Sequence, residues 1–147
     1  MNERSSVHDT FVIERVYDAT ADKVYAAWSD PAAKAGWFQK AEQFEFRVGG
    51  REYSRGGPPE GPVFTFDAVY QDIVPNERIV YTYTLDMGET RISVSTTTIE
   101  LKPEEGGTRL IFTEQGIYLD GHDNPAQREQ GTKEMLDTLG VALKKQA

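Results

Sequence analysis

The last stretch of the chain, Asn124 to Lys145, sets the terms for everything before it. Asn124, Pro125 and Gln127 read as an N-cap, a first-turn proline and a capping-box partner, so a helix begins here. At a rotation of about 100° per residue, Arg128, Thr132, Met135, Leu136, Leu139, Ala142 and Leu143 fall on one face. Gln127, Gln130, Lys133, Glu134, Asp137, Thr138, Lys144 and Lys145 fall on the other, with Val141 out of place among them. Gly131 and Gly140 each cost about 1 kcal/mol of helix propensity relative to Ala. Such a helix needs something broad and apolar to lie on.

The rest of the chain supplies a sheet. Phe11 to Tyr17 is rich in β-branched and aromatic residues and reads as a strand. Thr20 caps a short helix over Ala21 to Ser29, and Asp30-Pro31 restarts the chain into a second one reaching about Gly36, closed by Trp37 and Phe38. Strands then follow at Phe44–Val48, Arg51–Ser54, Val63–Ile73, Arg78–Leu85, Arg91–Leu101 and Thr108–Glu114. Turn chemistry separates them: Gly49-Gly50 as a bend, Gly56 to Pro62 as an irregular loop, Val74 to Glu77, and Lys102 to Gly107. Strands that meander without intervening helices make an antiparallel sheet.

The expected fold is therefore α+β: one strand, two short helices, a meander of strands, and a long C-terminal helix gripped by a curved antiparallel sheet. A bent sheet and a straight helix cannot touch along their whole lengths, so a cavity is expected between them. A length of 147 residues fits one domain spanning 1–147 and buries about 68–70% of the unfolded surface. With no cysteine, disulfides, thiolate metal sites and cysteine nucleophiles are excluded, and a reducing cytoplasm is the expected location. The net charge of −8, with no cluster of Lys or Arg, argues against nucleic acid and against an anionic membrane surface. Met1 to Thr10 lacks the apolar core of a signal peptide, and no apolar run is long enough to span a bilayer. A monomer or homodimer is expected.

Several stretches also carry a resemblance. Glu14 to Ala19, Val24 to Pro31 and Gly36-Trp37-Phe38 look like the opening of small START-like (SRPBCC) proteins. The branch is the one similar to the C-terminal domain of the heat-shock protein 90 ATPase activator. The likeness continues through Arg47 to Gly50, Ile73 to Ile79, Gly107 to Leu110, Thr113 to Gly116 and Arg128 to Leu139. One departure is Ala21, where these proteins often carry proline, which bears on how the first short helix starts. The resemblance implies the helix-grip fold; it implies little about activity, because such proteins do varied things on one cavity.

No active site declares itself in the motifs. Of the two histidines, His8 lies in the polar N-terminal tail, and His122 sits in Asp120-Gly121-His122-Asp123, which reads better as turn chemistry than as a metal site. No nucleophile elbow or phosphate loop is present, and neither a metal nor a cofactor is expected. The candidate ligand-binding residues are Trp37, Phe66, Tyr81, Tyr83, Phe112, Glu114, Arg128, Met135 and Leu139. Aromatics at strand spacing are ordinary core, but together with the helix residues they would wall the expected cavity. Glu114 and Arg128 each place a charge on an apolar face, and each reads either as a side chain snorkelling to solvent or as a polar wall. Since the turn between Gln115 and Asp123 is short, the two are expected to meet at one end of the cavity.

Three function classes follow. The first is a protein binding an apolar, aromatic or lipid-like small molecule. The second is a cyclase- or hydrolase-like enzyme on the same cavity, with Glu114 or a tyrosine as acid/base. The third, a chaperone ATPase cofactor, ranks last because one domain of this length leaves no room for a separate chaperone-binding domain.

Overall fold

The structure, a computed structural model, describes residues 3–145. Its elements are β1 (Ser6–Tyr17), α1 (Ala21–Ser29), α2 (Pro31–Lys34), β2 (Gln43–Phe44), β3 (Arg51–Gly56), β4 (Phe64–Val74), β5 (Arg78–Met87), β6 (Thr90–Glu104), β7 (Gly107–Leu119) and α3 (Pro125–Lys145). The fold is the expected helix grip, a curved antiparallel sheet with α3 across it and two short helices after the first strand.

Local differences have local causes. β1 begins at Ser6, five residues earlier than its apolar run, because Ser6 to Thr10 pair along β7 from Leu119 to Gln115. β2 shrinks to Gln43–Phe44, since the chain folds back sharply after it: a Cβ on Gly50 would lie 2.1 Å from the Glu45 carbonyl, and Gly49 has φ +83°. Thr20 precedes α1, but its hydroxyl bonds the Asp22 carboxylate and does not cap the helix. Ala21 in place of proline leaves the start of α1 where it was expected. At α3 the Asn124 side chain accepts from Gln127 N–H at 3.0 Å, while Asp123, not Gln127, takes the Asn124 N–H at 2.8 Å.

The seven strands run in the order β1-β7-β6-β5-β4-β3-β2, so the first strand pairs with the last. Strand alternation then places Ile79, Tyr81, Tyr83 and Leu85 of β5 on the inner face with Leu110, Phe112 and Glu114 of β7. Register is interrupted between Leu85 and Asp86, where Ile92 is the extra residue on β6. A bulge of this kind bends the strand and raises its twist.

The helix α3 is seated unevenly. Leu136, Leu139 and Leu143 are buried in the main core beside Ile13, Tyr17 and Trp28. A Cβ on Gly140 would come within 3.2 Å of the Tyr17 ring, whose hydroxyl donates to the Leu136 carbonyl at 2.7 Å. Gly131, about two and a half turns earlier at roughly 3.6 residues per turn, is exposed and has open space where its Cβ would be. Val141, on the polar side, is exposed, as its misplacement in the helical pattern implied.

Truncating Leu136 or Leu139 to Ala is expected to cost about 2–5 kcal/mol, and Lys133→Ala no more than about 0.5 kcal/mol. Urea melts of the three variants check this; equal destabilisation would mean that α3 buries a different face.

Candidate functional site

Between the N-terminal half of α3 and the inner face of the sheet lies a cleft of about 340 Å³. Its sheet wall is Phe66, Tyr81, Tyr83, Leu85, Phe112 and Glu114. Gln127, Arg128, Gly131, Thr132 and Met135 form the helix wall, and Asp123 stands at the turn before it. Phe38 and Gln39, just beyond α2, complete the rim. The aromatic rings form a continuous group: Phe66 lies 4.8 Å from Tyr83 and 5.3 Å from Phe38, and Tyr81 lies 6.0 Å from Tyr83.

Seven of the nine residues expected at a cavity wall line this cleft: Phe66, Tyr81, Tyr83, Phe112, Glu114, Arg128 and Met135. Trp37 and Leu139 do not. The Trp37 indole turns away, packs on Trp28 at 4.6 Å and donates to the Ala27 carbonyl at 3.0 Å, tying the segment after α2 to α1. The adjacent Phe38 faces the cleft instead. Leu139 is wholly buried because α3 has already settled onto the core by that turn. Asp123, Gln127, Gly131, Thr132, Leu85, Gln39 and Phe38 were not among the expected wall residues, and the helical pattern places Gln127 on the opposite helix face. For Gly131 a signal exists in the sequence, since a mid-helix glycine is costly and needs a spatial reason.

The polar end is built by β-sheet register. Thr97 lies directly opposite Glu114, and its hydroxyl donates to Glu114 Oε1 at 3.0 Å. Tyr83 donates from its hydroxyl to Glu114 Oε2 at 3.0 Å and accepts from Arg128 Nη1 at 2.9 Å. The Arg128–Glu114 contact itself is longer, 3.5 Å, so the phenol bridges the two charges. Arg128 Nη2 goes elsewhere, to Asp123 Oδ2 at 2.5 Å and Ser93 Oγ at 2.7 Å. Ser93 follows the bulged Ile92, which ties the sheet irregularity to this contact. The sequence-based contact is therefore present, but Asp123 is the closer carboxylate and Tyr83 the intermediary. β7 also continues to Leu119, so a turn shorter than expected brings strand end and helix start together.

Electrostatics here are dominated by burial. Glu114 is 2% exposed, and burial raises its carboxyl above the usual glutamate range against the opposing pull of Arg128, Thr97 and Tyr83. Burial likewise pushes the Tyr83 phenol up, reinforced by the Glu114 charge and opposed by Arg128. Tyr118, whose ring lies 5.2 Å from the Arg128 guanidinium, is pushed up to about 12 by burial. Arg128 stays a cation: burial works against its charge, but Tyr83, Glu114 and Asp123 outweigh it. The arrangement offers a ligand an aromatic wall and, at one end, a phenol hydroxyl, a carboxyl group and a guanidinium edge.

Among the described residues no group of three or more His, Asp or Glu is placed to hold a metal ion. The segment around His122 is used otherwise, since Asp120 accepts from Ser5 N–H at 2.9 Å and Asp123 pairs with Arg128. No helix among the described residues is long and apolar enough to cross a membrane.

With this architecture in view, the class of the protein follows. Residues 18–144 match the family described as Activator of Hsp90 ATPase homolog 1-like protein, and the chain belongs to that family, within the SRPBCC superfamily. A protein from Rhizobium leguminosarum is 43% identical, with 97% of this chain and 99% of that one covered at a TM-score of 0.91. The Mll3558 protein of Rhizobium loti is 44% identical, with 94% and 99% covered at a TM-score of 0.89. CalU16 of Micromonospora echinospora shares the fold alone, at 20% identity and a TM-score of 0.68 over 97% of this chain and 86% of that one. No curated protein matches the chain.

Two outcomes are expected at the polar end. Arg128→Met strands Glu114 and Asp123 together and should cost about 3–5 kcal/mol, whereas Glu114→Gln leaves Arg128 its Asp123 and Ser93 partners and should cost less. A double-mutant cycle between the two should show coupling that shrinks in a Tyr83→Phe background; unchanged coupling there would remove the phenol as intermediary. The pH dependence of stability is the second. Below the ordinary glutamate value of 4.5 both states hold the Glu114 proton. As pH rises past it the unfolded chain ionises first, so wild-type stability falls relative to Glu114→Gln until the folded-state value is passed. Denaturant titrations of both proteins from acid to neutral pH measure this difference, and an opposite slope would mean that Arg128 outweighs burial.

Proposed function

We propose that this protein binds an apolar or aromatic, lipid-like small molecule in the cleft between the sheet and the N-terminal half of α3, as a monomer or homodimer in the cytoplasm. The observation that carries this reading is the stand-off of α3 at Gly131. A side chain there would meet nothing within 4 Å, yet glycine remains in the middle of a helix, where alanine would be more favourable by about 1 kcal/mol. Gly131 is exposed at the mouth of the cleft that Phe66, Tyr83 and Met135 also line, and a missing side chain there leaves the entrance open to a ligand. The ligand's apolar body rests on the aromatic wall, and a carbonyl or hydroxyl on it meets Tyr83, Glu114 and Arg128.

A second reading, an enzyme on the same cleft, is favoured by one observation: burial raises the Glu114 carboxyl above the usual glutamate range, the direction in which a carboxyl becomes a better proton carrier. Binding ranks first because the cleft wall is mainly aromatic and apolar and because Thr97 and Tyr83 already engage both Glu114 oxygens in hydrogen bonds.

Mass spectrometry of the gently purified native protein tests the reading: a retained small molecule is expected in the wild type. Gly131→Leu should fill the cleft and release that molecule while leaving the thermal midpoint unchanged or higher. A wild type that carries nothing and binds no apolar fluorescent probe, or a Gly131→Leu variant that retains ligand fully, would contradict the proposal. Conversion of the retained molecule on incubation would move the enzyme reading ahead.

A further inference from the structure

A second cavity, of about 160 Å³, lies at the foot of α2, and a buried ion pair forms its inner boundary. Lys34 Nζ donates to Glu52 Oε1 at 2.7 Å, and the Tyr70 hydroxyl bonds the same oxygen. Both charged residues are almost wholly inside, at 4% and 1% exposure. The ammonium is also surrounded by rings, with Phe38 at 4.9 Å, Trp28 at 5.5 Å and Phe44 at 5.7 Å from their centroids. Glu52 Oε2, by contrast, is buried and has no hydrogen-bond partner among the described residues. An acceptor left so is costly, and more costly on a charged group.

We propose that this cavity, which adjoins the main cleft at Gln39, is a binding subsite of its own for a single-ring molecule or group carrying one hydroxyl or N–H donor for Glu52 Oε2. Size sets the first limit: the pocket opens to solvent beside the exposed Ala32 and Ala35, and its volume is close to the roughly 150 Å³ of a closed cavity that accepts benzene, so it has room for one six-membered ring. The walls set the second: Phe44, Ala32, Ala35, Ala41 and Pro31 are apolar, with Gln39 the neutral polar side chain among them. Charge sets the third. Glu52 is already balanced by Lys34, and Lys40 at the rim adds another positive group, so a cationic ligand is disfavoured and a neutral donor preferred. A neutral donor meeting a carboxylate oxygen gains a charge-assisted hydrogen bond that a purely apolar ring cannot make. The proposal does not depend on what the main cleft binds.

The test uses the intact protein with labelled alanine and methionine methyl groups, titrated with phenol and, separately, with toluene, which matches phenol in size and lacks the donor. Phenol should shift the Ala32, Ala35 and Ala41 methyls along a saturating curve, with at least tenfold tighter binding than toluene, equivalent to about 1.4 kcal/mol. The Met135 methyl reports the main cleft in the same spectra. Absence of shifts at Ala32, Ala35 and Ala41, shifts confined to Met135, or equal affinities for phenol and toluene would each overturn the proposal. Ala41→Leu, which fills the cavity from its wall, should abolish the phenol response; a folded variant that still binds phenol at these methyls would also overturn it.

Discussion

The hold of Tyr17 on the C-terminal half of α3 is the constraint from which the rest of the arrangement follows. The tyrosine ring sits against Gly140 closely enough that any side chain there would have to displace it, and its hydroxyl bonds the Leu136 carbonyl. With that half fixed, Leu136, Leu139 and Leu143 fill the core over β1 and α1. A straight helix pinned at one end over a curved sheet must stand away from it at the other. The open space at Gly131 and the cleft beside it are the geometric result. The two helix glycines thus do opposite things: one permits contact and the other preserves a gap.

What happens at the open end is governed by the cost of burying charge. Glu114 is carried inward by strand alternation whether or not the interior suits it, and it remains there because Thr97 and Tyr83 supply hydrogen bonds. Arg128 reaches the same place from the helix, but its tightest partner is Asp123, in the turn that starts the helix. The polar end is consequently a chain of hydrogen bonds from Asp123 through Arg128 and Tyr83 to Glu114. Such a chain holds the helix start to the sheet where apolar packing is missing, and it leaves groups able to meet a polar atom of a ligand. A second buried charge pair, Lys34 with Glu52, lies at the other side of the aromatic group, with the Tyr81 ring 5.9 Å from the Lys34 ammonium.

Much of this was legible in the sequence, for reasons that are specific. Alternation placed Tyr81, Tyr83, Phe112 and Glu114 inward, and helical periodicity placed Leu136 and Leu139, because both patterns are local consequences of backbone geometry. The α1 boundaries followed from capping and turn residues even though Thr20 spends its hydroxyl on Asp22. The misses are long-range. Nothing local reveals that Trp37 turns toward Trp28 while Phe38 takes the cleft, since adjacent residues in a turn have no fixed facing. The pairing of Ser6 to Thr10 with β7 depended on a partner over a hundred positions away, so a polar stretch became strand. Leu139 was placed on the correct face but in the wrong neighbour set, because a helical wheel gives direction and not the point where the helix lifts off. Lys34 and Glu52 gave no sign at all, as a single charged residue in a short helix or strand ordinarily faces solvent.

The uneven seating of α3 is most directly measured by amide hydrogen exchange along the helix, with and without an uncharged aromatic probe such as N-phenyl-1-naphthylamine. The account predicts slow exchange for amides of residues 136–143 in both conditions, and faster exchange for residues 128–132 that slows when the probe binds. Uniform protection along α3 that does not respond to the probe would contradict it.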